Sequence, residues 1–376
     1  LQSDLLEFYE AKNNLMNSQT LFKSHFQYSP TSSAKAHGRV NLIGEHTDYN
    51  NGFVLPTLIE QNIEVSMSLR TDSKINGISS KFGENSADME SSTDGSWLDF
   101  VRGASYYIQN EGCKITGLDL AVTSSIPAGS GLSSSAALEI ALLRAICHLT
   151  SLDLKPSKIA KIGQLIEHQY IGTQCGIMDQ MTSACAEFGQ ALYLDCKNLS
   201  TETIPIFSDY TFVVIHSGST RKLSEGKYNE RIKETEIAAH ELNIDSLRYG
   251  DINKLNKIKN FLAMKRARHI ITENERVKKA VDCLKRNDAQ FFGDLMNQSH
   301  LSMDQDYEIS SPELNHIVKT AQSYGAIGAR LTGAGFGGCS VILTSNVERE
   351  FITEKILSNC PNSHLITNIT QKNLFN

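Results

Sequence analysis

Short apolar runs separated by glycine-rich turns fill much of the first half of the chain and predict β-strands. A further run of this kind follows Pro205, where Val213 and Val214 stand among other large apolar residues. The runs are short, which suits buried strands better than helices. The predicted strands cover residues 40–43, 63–67, 118–122, 191–194 and 211–215.

Apolar residues at a spacing of three or four predict helices elsewhere in the chain. In the charged segment 222–300 this spacing is seen at Val277, Val281 and Leu284, and it predicts several packed helices. Strands and helices are mixed in both halves without a regular alternation, which favours an α+β fold over a doubly wound sheet. The helices predicted in the first half cover about residues 97–110, 133–149 and 156–171.

The length of 376 residues fits about two domains, because a single hydrophobic core rarely grows to that size. Sequence rich in glycine turns and strands gives way to the charged helical segment near residues 200–210. We therefore predict an N-terminal domain over residues 1–205 and a C-terminal domain over residues 206–376.

Composition narrows the class of protein further. The 36 basic and 42 acidic side chains give a net charge of −6, which disfavours a general nucleic-acid binder. No apolar run approaches the roughly 18 residues of a membrane span, and no signal peptide is recognisable at Leu1, although the chain does not begin with Met. The eight cysteines are scattered without a CxxC pair, which predicts reduced thiols and a cytoplasmic protein.

A glycine-serine loop between a predicted strand and a predicted helix is the most informative segment. Its glycines allow a tight turn and close approach of a ligand, and its serines offer hydroxyl and backbone N–H groups at a helix N-terminus. An ordinary serine-capped helix is the alternative, but three consecutive serines exceed what capping needs. No lysine follows the glycines, so the loop is not a Walker motif. The candidate phosphate loop comprises Gly129, Ser130, Gly131, Leu132, Ser133, Ser134 and Ser135.

A second glycine-rich segment, Gly333 to Gly338, matches the G-x-G-x-x-G fingerprint of dinucleotide-binding proteins. That fingerprint must open a helix, whereas the following residues 339–343 predict a strand. Two interpretations stay open from the sequence: a glycine-rich hairpin connection, or a loop that packs close to a bound phosphate or to the candidate phosphate loop.

Two polar features carry candidate chemistry. Glu45, His46 and Asp48 crowd a predicted turn after Arg39, and charged acceptors at this density suit a polyhydroxyl ligand. A solvated surface loop or a metal site are the alternatives, and locally the surface loop is favoured. Asp179 stands among apolar and small residues, so it is either a general base or the partner of an arginine.

Taken together, these segments resemble the galactokinase branch of the GHMP small-molecule kinases. Residues 38–49 resemble its galactokinase signature, residues 127–136 its phosphate loop and residues 331–339 its third motif, and segments 175–180 and 266–269 also match. The likeness runs from about residue 20 to the end. One departure is His37, because the family usually has proline there.

The resemblance implies a two-domain α+β fold with the active site between the domains, and ATP-dependent phosphorylation of the C1 hydroxyl of α-D-galactose. It implies Asp179 as the base and Arg39 beside it, and Mg²⁺ held by Ser135 and Glu167. Trp97 would lie near the adenine, although it could equally belong to the core. The resemblance assigns the sugar to Glu45, His46, Asp48, Gly176 and Tyr228.

Rival functions stay open at this point. An N-acetylgalactosamine 1-kinase or another sugar 1-kinase would carry the same motifs, because pocket volume at C2 is not visible in them. A catalytically inactive sugar sensor is disfavoured by the complete phosphate loop and by the presence of Asp179 and Arg39. We expect a monomer whose partners are a small sugar and Mg·ATP, with neither nucleic acid nor membrane.

Overall fold

The computed structural model of the chain describes residues 17–219 and 224–371. The fold is α+β, and it contains an eight-stranded sheet in the first half and a four-stranded sheet in the second. The sheet changes between Pro205 and Tyr210, which is where we propose that the domain boundary lies. Within the described ranges, no helix is long and apolar enough to cross a bilayer.

The first sheet has the strand order β2-β7-β3-β6-β4-β5, with β1 pairing on β3 and β8 on β7. The parallel pairing of β4 with β6 places the end of β4 beside the end of β6, the strand that leads to the candidate phosphate loop. The strands are β1 (Ser32–Asn41), β2 (Phe53–Val54), β3 (Pro56–Arg70), β4 (Lys74–Ser79), β5 (Gly83–Asp88), β6 (Gly117–Ser124), β7 (Gln190–Asp195) and β8 (Thr201–Pro205).

The prediction of a strand at residues 40–43 has both boundaries wrong, because the strand observed there covers Ser32–Asn41. Strand β1 begins at Ser32, because its polar residues pair in register with the long strand β3. It ends at Asn41, and Leu42 and Ile43 are fully buried in the turn that follows. The pattern of apolar residues predicts neither boundary, because the length of β1 depends on its pairing with β3 and not on its own sequence alone.

Helices cover the first sheet, and the candidate phosphate loop leads into one of them. Helix α3 is buried along most of its length, and its buried apolar residues surround one acid, Glu139. The helix predicted over 156–171 is α-helical only to Ile166, and a π-helical turn continues it over Glu167–Ile171. The helices are α1 (Ser18–Phe26), α2 (Leu98–Asn110), α3 (Ser134–Thr150), α4 (Pro156–Ile166) and α5 (Met178–Cys185).

The second half packs helices against a four-stranded sheet of order β10-β11-β9-β12. The segment from Gly333 to Gly338 leads into strand β11 and not into a helix, so the dinucleotide interpretation is excluded. The strands are β9 (Tyr210–His216), β10 (Gly328–Thr332), β11 (Cys339–Ser345) and β12 (His364–Ile369). The helices are α6 (Ser224–Leu242), α7 (Phe261–Arg286), α8 (Ala289–Gln305), α9 (Pro312–Ser323) and α10 (Arg349–Asn359).

One hydrophobic core runs through both sheets. Leu42 and Leu55 from the first half belong to the same buried cluster as Phe212, Val277 and Phe292 from the second. Burial of large apolar side chains is the main stabilising contribution in such a fold. The two halves are therefore held firmly together, and the turn after β1 is fixed between them.

Candidate active site

A cavity of about 390 Å³ opens between the turn after β1, the candidate phosphate loop and the second half of the chain. Thirteen of the sequence-predicted residues come together on its wall. These lining residues are Arg39, Glu45, His46, Asp48, Gly129, Gly131, Ser133, Ser134, Ser135, Glu167, Gly176, Asp179 and Tyr228.

Arg39 and Asp179 form a bidentate ion pair at the centre of this wall. Arg39 Nε donates to Asp179 Oδ1 at 2.8 Å and Nη2 to Oδ2 at 2.7 Å, while Nη1 donates to the carbonyl of Gly131 at 2.9 Å. Arg39 projects from β1 and Asp179 from the first turn of α5. The two parallel hydrogen bonds fix the orientation of the Asp179 carboxyl group. The two alternatives for Asp179 are therefore compatible, since it pairs with an arginine and also faces the cavity.

The phosphate loop turns through left-handed backbone. Gly129 and Gly131 have φ of 68° and 73°, and Ser133, at the N-cap of α3, has φ of 62°. The Ser133 side chain makes no capping bond and instead donates to Asp179 Oδ2. The helix start is thus free of a side-chain cap, which leaves backbone N–H groups and the positive end of the helix dipole for an anion.

Two predicted members of the loop have structural contacts rather than a place on the cavity wall. Ser130 is buried, and its hydroxyl donates to the carbonyl of Pro127 at 2.8 Å. The Leu132 carbonyl accepts the backbone N–H of Arg39 at 3.2 Å. These bonds fix the loop against β1, and any nucleotide contact of these two residues stays a prediction.

The polar turn after β1, residues 44–48, is buried and not a solvated surface loop. Glu45 is 1% exposed and His46 5% exposed. Glu45 accepts the Asn41 amide at 2.6 Å and the Gly333 backbone N–H at 2.7 Å. Burial raises the pKa of Glu45, against the lowering effects of Arg330 and these hydrogen bonds. We refer to residues 44–48 as the polar turn.

His46 lies in an aromatic cluster that faces the cavity. It has φ of 61°, with Nδ1 at 2.8 Å from the Tyr49 hydroxyl and Nε2 at 3.2 Å from the Ala334 carbonyl. The Tyr228 ring lies 5.4 Å from that of His46. Aromatic faces and hydroxyls of this kind suit the mixed apolar and polar surface of a sugar ring.

Asp48 and Gly176 are in direct contact. A Cβ atom on Gly176 would lie only 1.7 Å from Asp48 Oδ2, so the carboxylate packs directly against the Gly176 backbone and leaves no room for a side chain. Burial, followed by the nearby charge of Asp179, raises the pKa of Asp48 to about 7. Burial raises the pKa of the Tyr228 hydroxyl well above its ordinary value, and the nearby Gly176 backbone N–H opposes this rise. The three residues form one wall of the cavity.

Ser135 and Glu167 both line the cavity, and their side chains are close enough for Ser135 to oppose the raised pKa of Glu167, so both candidate metal ligands occupy one place. Burial raises the pKa of Glu167. A hydroxyl and a carboxylate at the phosphate loop fit Mg²⁺, which is usually held by one or two protein oxygens together with substrate phosphates. In the described part of the chain no cluster of three histidine, cysteine or acidic side chains forms a closed metal site.

Glu139, which sequence reasoning missed, lies behind the cavity wall next to Glu167. It lies on α3, is completely buried and contacts Glu167, and burial raises its pKa well above the ordinary value. Gln180 donates to its Oε2 at 3.1 Å. A single acid within an apolar helix surface was the available signal, since such an acid needs a partner or a function.

Trp97 is not among the residues of the cavity wall. It stands at the N-cap of α2, and its ring packs so closely on Gly77 that a Cβ there would be 2.5 Å from Cη2. Its Nε1 is buried without a partner among the described residues. The adenine contact of Trp97 stays a prediction.

Three family profiles match the chain. The GHMP kinases N terminal domain matches residues 99–187, the galactokinase galactose-binding signature residues 20–69, and the GHMP kinases C terminal family residues 280–362. The second match contains Arg39 and the whole polar turn, and the first contains the phosphate loop and Asp179. The matches thus cover most of the cavity wall.

Similar proteins cover nearly the whole chain. A galactokinase of Glaesserella parasuis serovar 5 is 41% identical over 363 residues, covering 91% of this chain and 92% of the relative. A galactokinase of Actinobacillus pleuropneumoniae serotype 5b is 41% identical over 356 residues, covering 90% and 91%.

Solved structures agree with these sequence matches. Lactococcus lactis galactokinase complexed with galactose superposes with a TM-score of 0.88 at 32% identity, covering 94% of this chain and 97% of that one. Methanococcus jannaschii mevalonate kinase, with a TM-score of 0.68 at 20% identity over 90% and 98%, shares the fold. The chain therefore belongs to the galactokinase family of the GHMP kinases.

Proposed function

We propose that this enzyme transfers the γ-phosphoryl group of ATP to the C1 hydroxyl of α-D-galactose, giving galactose 1-phosphate and ADP. The observation that carries the proposal is the Arg39–Asp179 pair, which lies where the cavity meets both the polar turn and the phosphate loop. The galactokinase relatives support galactose as the substrate.

Asp179 is the proposed general base. A sugar hydroxyl is a weak nucleophile, and a carboxylate at hydrogen-bond distance can accept its proton as the oxygen bonds to the γ-phosphorus. The bond from phosphorus to the bridging oxygen then breaks, and ADP leaves. Arg39 holds the Asp179 carboxylate in place and, with Ser133, offers donors near the transferring group. Phosphoryl transfer depends mainly on such positioning and charge neutralisation.

Sugar and nucleotide are proposed to occupy opposite ends of the cavity. Glu45, His46, Asp48, Gly176 and Tyr228 would hold the sugar hydroxyls and ring. The glycine-serine loop and the N-terminus of α3 would hold the phosphates. Ser135 and Glu167 would hold Mg²⁺, which supplies charge neutralisation to the phosphate oxygens when bound.

A coupled ADP-release assay with Mg·ATP and a panel of monosaccharides tests the proposal. We expect galactose to give the highest kcat/KM and Asp179→Asn to abolish turnover. A clear preference for N-acetylgalactosamine would reassign the substrate. Sugar and ATP binding without ADP release would instead support the sensor function.

We also propose that the enzyme acts as a cytoplasmic monomer. One chain supplies every residue of the cavity wall described above. All eight cysteines are free thiols, which suits a reducing compartment. Size-exclusion chromatography with light scattering gives the mass in solution, and a value near 41.6 kDa is expected.

A further inference from the structure

The polar turn is held from behind by an acid that does not face the cavity. Glu273, on α7, is completely buried. Its Oε1 accepts the backbone N–H of Gly44 at 2.9 Å and that of Glu45 at 3.4 Å. The Ser299 hydroxyl donates to the same oxygen at 2.7 Å. One carboxylate oxygen therefore accepts hydrogen bonds from the first two N–H groups of the polar turn and from a side chain of α8.

Two guanidinium groups balance this buried charge. Arg276 Nε donates to Glu273 Oε2 at 2.6 Å. Arg330, on β10 and also completely buried, has Nη2 at 3.7 Å from Glu273 Oε1 and at 3.7 Å from Glu45 Oε1. Burial alone would raise the pKa of Glu273, but Arg276, His269 and Arg330 lower it overall. Glu273 is thus an ionised group, and Arg330 stands between it and the candidate sugar ligand Glu45.

A third contact from α7 fixes the same turn. His269 Nε2 lies 3.1 Å from the Glu45 carbonyl, and its Nδ1 lies 2.9 Å from the Ser302 hydroxyl. Glu45 is therefore held through its backbone N–H, its carbonyl and its side chain by groups from the second half of the chain. Charge-assisted bonds in buried surroundings are the stronger and more directional ones.

We propose that Glu273 is a positioning residue for the sugar, acting through Arg330 and the backbone of the polar turn, so that the second half of the chain sets the sugar-binding conformation of the first. The inference rests on the proposed galactokinase function for its substrate, while its structural part concerns the turn alone. Glu273 does not itself line the cavity, so its influence must pass through Gly44, Glu45 and Arg330.

The matched variants are Glu273→Gln and Glu275→Gln. The first keeps the shape of the side chain but turns an N–H₂ group or a weaker acceptor toward the turn, Arg276 and Arg330. The second changes an exposed acid two residues along the same helix, which pairs only with Lys278 among the described residues. Ser299→Ala, which removes a single bond to Glu273, is the milder third variant should Glu273→Gln not fold.

Steady-state kinetics separate positioning from general stability. For Glu273→Gln we expect the galactose KM to rise about tenfold or more, with the Mg·ATP KM within twofold and kcat within about threefold. Ser299→Ala should change the galactose KM in the same direction by a few-fold, and Glu275→Gln should match the parent. A lower melting temperature with an unchanged galactose KM in both Glu273→Gln and Ser299→Ala would overturn the proposal.

Hydrogen exchange of the sugar-free protein supplies a readout that needs no activity. Peptides covering residues 42–50 should exchange at least several-fold faster in Glu273→Gln than in Glu275→Gln, because the N–H groups of Gly44 and Glu45 lose a charged acceptor and face at best a weaker, neutral one. Unchanged exchange there would also overturn the proposal. If the parent enzyme fails to phosphorylate galactose while this exchange difference is found, the proposed function fails and the positioning of the turn stands.

Discussion

The contact between Gly176 and Asp48 makes Gly176→Ala a sharp test of the sugar site. The φ of Gly176 lies outside the left-handed region, so alanine can adopt its backbone without strain. The added Cβ would lie 1.7 Å from Asp48 Oδ2, whereas ordinary contacts begin at 3.4 Å. The carboxylate oxygen must therefore retreat by about 1.7 Å, which exceeds the tolerance of a hydrogen bond.

The expected size of the effect follows from the bond that is lost. A hydrogen bond to a charged group contributes about 1.5–3 kcal/mol, and 1.4 kcal/mol corresponds to a factor of ten. If Asp48 binds a galactose hydroxyl, the galactose KM should rise about 10-fold to 150-fold. The Mg·ATP KM should change little, because the proposed nucleotide contacts are on the glycine-serine loop and not on Asp48.

The assay is ADP release with galactose varied at saturating Mg·ATP. Gly226→Ala is the matched control, since no atom lies within 4 Å of a Cβ at that helical position. A double-mutant cycle adds Asp48→Ala, in whose background Gly176→Ala should cost little more. A galactose KM within twofold of the parent, or full additivity in the cycle, would refute the reasoning.

Further expectations concern the base, the phosphate loop and pH. Asp179→Ala should lower kcat by orders of magnitude while calorimetric galactose affinity stays within a few-fold, and near-normal turnover would remove Asp179 from its role. Ser135→Ala should raise the Mg·ATP KM more than the galactose KM, and unchanged ATP kinetics would leave it a helix-start residue. Because the raised pKa of Asp48, about 7, makes the folded chain hold this proton more tightly than the unfolded chain, ligand-free stability should fall as pH rises from about 4 through 7. Melting temperatures across that range should show a shallower fall in Asp48→Asn, and parallel curves would contradict the assignment.

Local chemistry in the sequence predicts the backbone geometry of the candidate phosphate loop well. Glycines, serines and an apolar helix are short-range signals, and the structure places Gly129, Gly131 and Ser133 in the left-handed backbone that such a loop needs. Strand β11 after the glycine-rich segment is also predicted, because its short run of β-branched and apolar residues is typical of a buried strand. These features depend on neighbours in the chain.

The polar turn could not be predicted in the same way. Its local pattern of charged residues favours a solvated loop, yet it is buried because α7 and β10 supply Glu273 and Arg330 to its back. The contact between Glu139 and Glu167 could not be predicted for a similar reason. Glu167 lies in a π-helical turn, whereas the apolar periodicity predicts an ordinary α-helix there. Both depend on contacts between residues far apart in sequence.

The glycine-rich segment 333–338 has a consequence for redesigning substrate range. At one end Gly333 bonds to Glu45, and just past the other end the Cys339 thiol donates to the carbonyl of Ser130 in the phosphate loop at 3.4 Å. The segment therefore contacts both the polar turn and the candidate phosphate loop, and most of its residues have left-handed backbone conformations. We therefore expect substitutions at Tyr228, on α6, to alter the range of sugars with less effect on ATP use than substitutions within the 333–338 segment, which contacts both sides.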